Sequence, residues 1–402
     1  MNILHPIRVV FLVLVLVSAS VAWACFWDSD TLRTEANGMP GVVEAATGFY
    51  PVYPDEYYER RIEIARERID SGTHLLDSYD NLAVALDKLG DSSAAIEAIA
   101  PKLELIEQAD DPGDHLYRYH ANLGTFYAHR WIRNGTSGGD LKDLELAQES
   151  IARAIEINPD AHFGREFVQL GAIEWLLNQE AGSPENMWIG KYPTMLVTVL
   201  EPESIGKWRL EVPEKVVEGL IGLVMLGAAQ ESVDVYAALA IAMSLQEDTS
   251  LGLIAALRVD ELVEIGRHSI HPTAYQSSDA QLINAEFFSL SLVDQDFNEV
   301  SAYYDVAREA ADEYRAEYTA FVQSKLDQGL HPDTHEAFFE GEPKAVLPEM
   351  PNGLFGRAGH SRSFFVVELI LMGAGATVIA LFVGSFWFFR KRIWISTPPG
   401  AS

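Results

Sequence analysis

The chain has 402 residues, 29 basic and 59 acidic, for a net charge of −30. That balance excludes binding to nucleic acid or to anionic lipid by charge alone. Its single cysteine, Cys25, excludes an intrachain disulfide. In chain order, a basic start at Arg8, an apolar run over 9–17 and the small residues SASVAWA predict a secretory signal peptide over 1–24. Ala22 and Ala24 place the cut before Cys25; the alternative is an uncleaved anchor, although spanning needs ~20 apolar residues. Cys25 then reads in two ways, as a lipidation candidate or as the first residue of a plainly secreted chain. Trp23 stands where lipoprotein leaders carry a small residue.

Residues 25–75 read as an N-terminal extension, in which Asp28-Ser29-Asp30 is expected to cap a helix begun at Thr31. Residues 76–178 carry an internal repeat, YDNLAVALDKLG…AAIEAIAP and then ANLGTFY…LAQESIARAIEINP. Small residues at Ala83, Ala95, Gly124, Ala147 and Ala154 let two helices approach, and Pro159 ends the last one. This is the tetratricopeptide pattern, although Lys102 stands where the second unit has Ala154. About eleven extra residues around GTSGGD separate the helices of the second unit. Residues 179–340 read as further helices, at 161–178 just before it and then at 214–227, 232–246, 250–266 and 297–329, with a short strand at MLVTVL (195–200).

Residues 341–363 are rich in Gly and Pro and read as a juxtamembrane linker. Residues 364–389 form a 26-residue apolar run with one charge, Glu368. At ~1.5 Å per residue it reaches ~39 Å, enough to span a bilayer with tilt. Arg390, Lys391 and Arg392 follow, which puts the 390–402 tail in the cytoplasm and the large domain outside. Ala376, Ala380 and Gly384 fall four residues apart, a spacing that favours self-association of the anchor. The fold class expected is all-α: a tetratricopeptide-like array of helical hairpins with a single C-terminal transmembrane helix.

The segments ACFWDSDTLRTE, YDNLAVALDKLG, ANLGTFYAHRW and INPDAHFGRE together resemble a group of exported tetratricopeptide-repeat proteins of planctomycete-type bacteria, over roughly residues 24–270. The resemblance implies a bacterial, extracytoplasmic interaction protein and places Cys25 in a recurring C-x-W-D-x-D-T-L opening. It implies no reaction and no cofactor.

In such arrays the first helix of each hairpin lines a groove for extended peptides. Asp80, Asp87, Arg118, Asn122, His129 and Arg165 are the groove candidates, expected to lie outside the packed core. Arg165 reads equally as an ion-pair partner near Glu166. Excluding Arg8, Glu368 and the three basic residues after the apolar run leaves 25 basic and 58 acidic residues over 26–363. A protein or peptide ligand is therefore expected to be neutral or basic. His331, Asp333 and His335 in HPDTHE are weak metal candidates, read first as a solvated turn. No Ser/His/Asp set is assignable from spacing. The reading is a membrane-anchored extracytoplasmic scaffold that binds protein or peptide. The alternatives are a metal-dependent binder or enzyme on the same frame, and a lipoprotein assembly factor held at both ends.

Overall fold

The computed structural model describes residues 26–36, 41–135, 140–159, 165–178, 214–246, 248–271 and 294–351. Cys25 and the leader, the expected strand at 195–200, and everything from 352 on, including Ala376, Ala380 and Gly384, lie outside the described residues. The described residues are all-helical. No helix among them is long and apolar enough to cross a membrane.

Thirteen described helices follow one another. They are α1 (Ser29–Ala36), α2 (Val42–Thr47), α3 (Asp55–Ser71), α4 (Leu75–Lys88), α5 (Ser92–Ile99), α6 (Pro101–Gln108), α7 (His115–Arg133) and α8 (Lys142–Ile157). After them come α9 (Arg165–Leu177), α10 (Glu214–Met225), α11 (Val233–Leu245), α12 (Thr249–Glu264) and α13 (Asp294–Leu326). A 3-10 turn covers Glu336–Phe339. Short polar connections set the boundaries. Asp91 caps α5 by accepting the Ala94 N–H, Asp248 caps α12 through Leu251, and Ser232 caps α11 through Val235. Gly72, with φ of +74°, closes α3 in a left-handed turn that a side chain would strain.

Consecutive helices pack on one another from α3 to α5 and from α7 to α13, each mainly against its neighbour in sequence. Small residues allow the close approaches. At Gly124 in α7, a Cβ would stand 2.7 Å from Ile151 Cγ1 and 3.0 Å from the Ala147 carbonyl oxygen of α8. Ala147, Ile151 and Ala154 are themselves fully buried.

The expected extension at 25–75 is no appendage. α3 packs on α4, the first helix of the first repeat, and the apolar α2 is packed among α10, α12 and α13. The long helix was expected at 297–329 and runs from 294 to 326. Val300, Tyr303, Tyr304, Ala307 and Ala311 face the main core, and Tyr318 and Val322 a smaller aromatic one. α13 thereby reaches from α12 and α2 back to α3. The start of the expected linker is tied down as well. Glu342 pairs with Arg33, Leu347 packs on the core and the Tyr303 hydroxyl donates to the Pro348 carbonyl (3.4 Å).

Candidate functional site

The first helices of successive hairpins, α4, α7 and α9, share a short motif: Asn81-Leu82-Ala83, Asn122-Leu123-Gly124 and Gln169-Leu170-Gly171. The equivalent residue one turn earlier is Asp77, Arg118 or Arg165. Seven residues after each asparagine stand Lys88 and His129. A helix repeats its face every three to four residues, so these rows line up on one side of the stack.

That side is occupied by the chain's own residues 26–30. The Trp27 N–H donates to Asn122 Oδ1 (2.8 Å) and its carbonyl accepts from Asn122 Nδ2 (3.0 Å). Two residues on, the Ser29 N–H donates to Asn81 Oδ1 (3.1 Å), and the Ser29 hydroxyl also bonds Asn81. Equivalent asparagines on consecutive hairpins thus hold the backbone of alternate residues.

The side chains of this strap are read by the neighbouring rows. Phe26, 1% exposed, lies edge-on to His129 (5.4 Å between centroids) with Lys88 Nζ 4.1 Å from its ring. Trp27 is equally buried. The Arg165 and Arg118 guanidiniums lie 5.0 and 5.9 Å from its ring, and Tyr117 meets its edge. Its indole N–H points to Glu166 Oε1 at 3.4 Å. Asp28 caps α1 through the Thr31 N–H (3.0 Å).

Arg61 of α3 closes the far end. It is wholly buried, and all five of its donors are used. It binds Asp28 (3.0 Å), Asp30 (2.6 and 3.0 Å), Asp333 (3.0 and 3.1 Å) and the Tyr57 hydroxyl (2.8 Å). Burial drives the Asp28 carboxyl above its ordinary value, with repulsion from Asp30 adding to it. For Asp30 burial acts the same way, but the Arg61 charge and the bonds from Arg61 and Tyr57 outweigh it and lower its pKa. Arg61 therefore joins the strap to the segment that follows α13.

Five of the six groove candidates are buried, which corrects the expectation that they lie outside the core. Asp80, 2% exposed, accepts from Lys102 Nζ at 2.6 Å through both oxygens and from Asn122 Nδ2 (3.1 Å). Lys102, the departure from the repeat pattern, is thus the counter-charge of Asp80. Asp87 holds His129, Arg133 and Ser92. Burial raises the Asp87 carboxyl, but His129 and Arg133 overcome this and pull it down to about 2. Burial lowers the His129 pKa against the pull of Asp87, so at neutral pH a neutral ring donates its Nδ1–H to the carboxylate. Arg118 is half-buried and joins Asp77 (3.2 Å) to Asp114 (2.9 Å). Arg165 sits on the Trp27 face and pairs with Glu166 (3.3 Å).

The metal candidates do not converge. His331 is buried; its Nε2–H donates to the Tyr57 carbonyl (3.2 Å) and its Nδ1 accepts the Asp333 N–H (3.2 Å). Burial and the Arg61 charge push its pKa down to about 4. Both Asp333 oxygens are taken by Arg61, and the ring of exposed His335 bonds the Thr334 hydroxyl. Asp77, Asp80 and His115 bring ligand atoms within 4.8 Å of one another. Lys102 and Arg118 already neutralise those two carboxylates.

Asn81, Lys88 and Arg61 are site residues that the sequence reading missed. The recurring N-L-[AG] triplet carries the signal for Asn81 and, seven residues on, for Lys88. Nothing local marks Arg61. No protein-family model matches the chain, and no curated protein or solved structure matches it either. The functional reading therefore rests on the geometry of the groove.

Proposed function

We propose that the chain is an exported helical-repeat scaffold of the tetratricopeptide type, tethered to the membrane by residues 364–389, whose groove binds extended protein segments. One observation carries this reading. Asn122 satisfies both backbone groups of Trp27, and its repeat-equivalent Asn81 takes the next backbone N–H but one. Such contacts recognise polypeptide backbone whatever the side chains. The strap is the resident occupant, and a partner segment exchanges with it. The local charge differs from the overall charge. Lys88, Arg118, Arg165 and Arg61 surround the strap, so the segment that fits is aromatic and acidic rather than neutral or basic.

The test is recovery of a binding partner from solubilised membranes with the full chain as bait, with and without a synthetic FWDSDTL peptide. Weakening the strap with Trp27→Ala should raise recovery several-fold, and the peptide should compete it away. Recovery indifferent to both would remove the groove as the binding site. A C-terminal reporter that is active only outside the cell would contradict the proposed topology.

A further inference from the structure

Residues 331–342, which follow α13, meet the strap at the end where Arg61 stands. They fold on α3 and α13. The His331 ring lies on Tyr57 (4.7 Å between centroids), and Phe338 packs with Tyr57, Tyr318 and Val322. Lys325 Nζ donates to the Glu340 carbonyl (3.2 Å). Two joints tie this segment to the strap and to α1, which begins within the strap. The first is Arg61. Among the described residues its Nε donates to Asp333, its Nη1 to Asp28 and Asp30, and its Nη2 to acceptors on both sides. A guanidinium with no exposed surface therefore has every donor paired only when strap and segment are both in place. Buried donors left unmade are costly. The second joint is direct. Arg33 of α1 pairs with Glu342, and its guanidinium lies 3.5 Å from the centre of the Phe339 ring. Glu342 also accepts from the Tyr318 hydroxyl of α13 (3.4 Å).

We propose that residues 331–342 are a latch on the groove: they hold the strap in its seat, and a partner segment that expels the strap frees them in turn. This regulation rests on the reading of the groove as a partner site. Trp27 is held by Asn122 of α7 and by Arg165 of α9, whereas the latch is held by α3 and α13. What passes between them runs through Arg61 and Arg33. The coupling is one free energy seen from two ends, so loosening the latch loosens the strap and loosening the strap loosens the latch. The latched chain is autoinhibited, because an incoming segment must break the contacts of Arg33 as well as those of the asparagines. The latch leads on toward the proposed anchor at 364–389, so occupancy of the groove is signalled on the membrane side of the domain.

Site-resolved amide hydrogen exchange on the full chain in detergent reads both ends. Glu342 and Phe339 are the residues to change, because Asp333 also repels Asp28 and Asp30 and its loss would act in both directions. The double variant Phe339→Ala, Glu342→Gln should speed exchange of the Trp27 and Ser29 amides by about fivefold or more, while the interior amides of α11 keep their wild-type rates. In the other direction, Trp27→Ala should speed the Thr334, His335 and Phe338 amides, whose N–H groups bond within the latch, by a comparable factor. Unchanged exchange of Trp27 and Ser29 in the double variant, or of the three latch amides in Trp27→Ala, overturns the proposal. Should the double variant unfold, seen as lost protection of α11, Glu342→Gln alone decides: a rise of about twofold or more at Trp27 and Ser29 supports the latch, and no rise overturns it. A fluorescent FWDSDTL peptide should bind the double variant about fivefold more tightly than wild type. A peptide that binds neither chain removes the groove as a partner site and leaves the exchange result for the latch standing, whereas unchanged exchange with peptide bound removes the latch alone.

Discussion

Arg61→Met keeps the apolar stem of a side chain that has no exposed surface and removes the guanidinium, with its charge and its five donors. Three carboxylates, those of Asp28, Asp30 and Asp333, then share a buried space with no cation in contact. Two unit charges 4 Å apart repel by ~4 kcal/mol at an effective dielectric of 20. The alternative, protonating a carboxyl of ordinary pKa ~3.9 at pH 7, costs about the same, ~4 kcal/mol. Either route gives an expected loss of ~3–5 kcal/mol, the range found when one partner of a buried ion pair is removed. The two routes separate with pH. At pH 4.5 protonation costs less than ~1 kcal/mol per carboxyl, so the difference between variant and wild type should fall by more than half. Urea unfolding of the full chain in detergent, followed by helical circular dichroism at both pH values, measures this. Adding Asp28→Asn and Asp333→Asn should restore much of the loss. A loss below ~1 kcal/mol at pH 7, or one that does not shrink on acidification, would refute the reasoning.

Gly124→Ala should destabilise by ~1–3 kcal/mol, because its Cβ would overlap Ile151; trimming Ile151 to Val should recover part of this in the same unfolding assay. Asp234 is buried with one oxygen accepting the Ile270 N–H (3.0 Å), and burial raises its pKa to about 6. Between about pH 4 and 6 the unfolded chain releases this proton while the native one keeps it, so its ionisation penalises the fold fully above about 6. Asp234→Asn should therefore raise the melting temperature at pH 8 and leave it unchanged below pH 4. His331 is held neutral to about pH 4, whereas an unfolded histidine protonates near 6.5. Native stability should decline as pH falls through that window, and a histidine NMR titration should show one ring that stays neutral down to about pH 4.

The helices were legible because their causes are local. Gly124, Ala147 and Ala154 announce close helix contacts, and Asp91 and Asp248 stand where caps are needed. Asn122 was legible as a groove residue. The occupant was not. Trp27 of FWDSD lies 95 residues before Asn122, and nothing in the five residues says that they return to the groove. The same holds for Arg61, whose carboxylate partners lie 31 to 33 residues before it and 272 after it. Net charge misled about the groove because it averages over a surface. The cations near the strap are four residues brought together from α3, α4, α7 and α9. The metal reading of HPDTHE failed for a related reason. Spacing put His331 and Asp333 together, but the fold spent their lone pairs and donors on Tyr57 and Arg61.

The central claim is that residues 26–30 lie in the groove, held by Asn122 and Asn81. Site-resolved amide hydrogen exchange on the full chain tests it most directly, because the Trp27 and Ser29 N–H groups donate to those two side chains. The account predicts that both amides exchange within about tenfold of the interior amides of α7, and that Asn122→Ala releases Trp27 before α7 itself opens. Exchange of both amides at the rate of an unstructured peptide in the wild-type chain would contradict it.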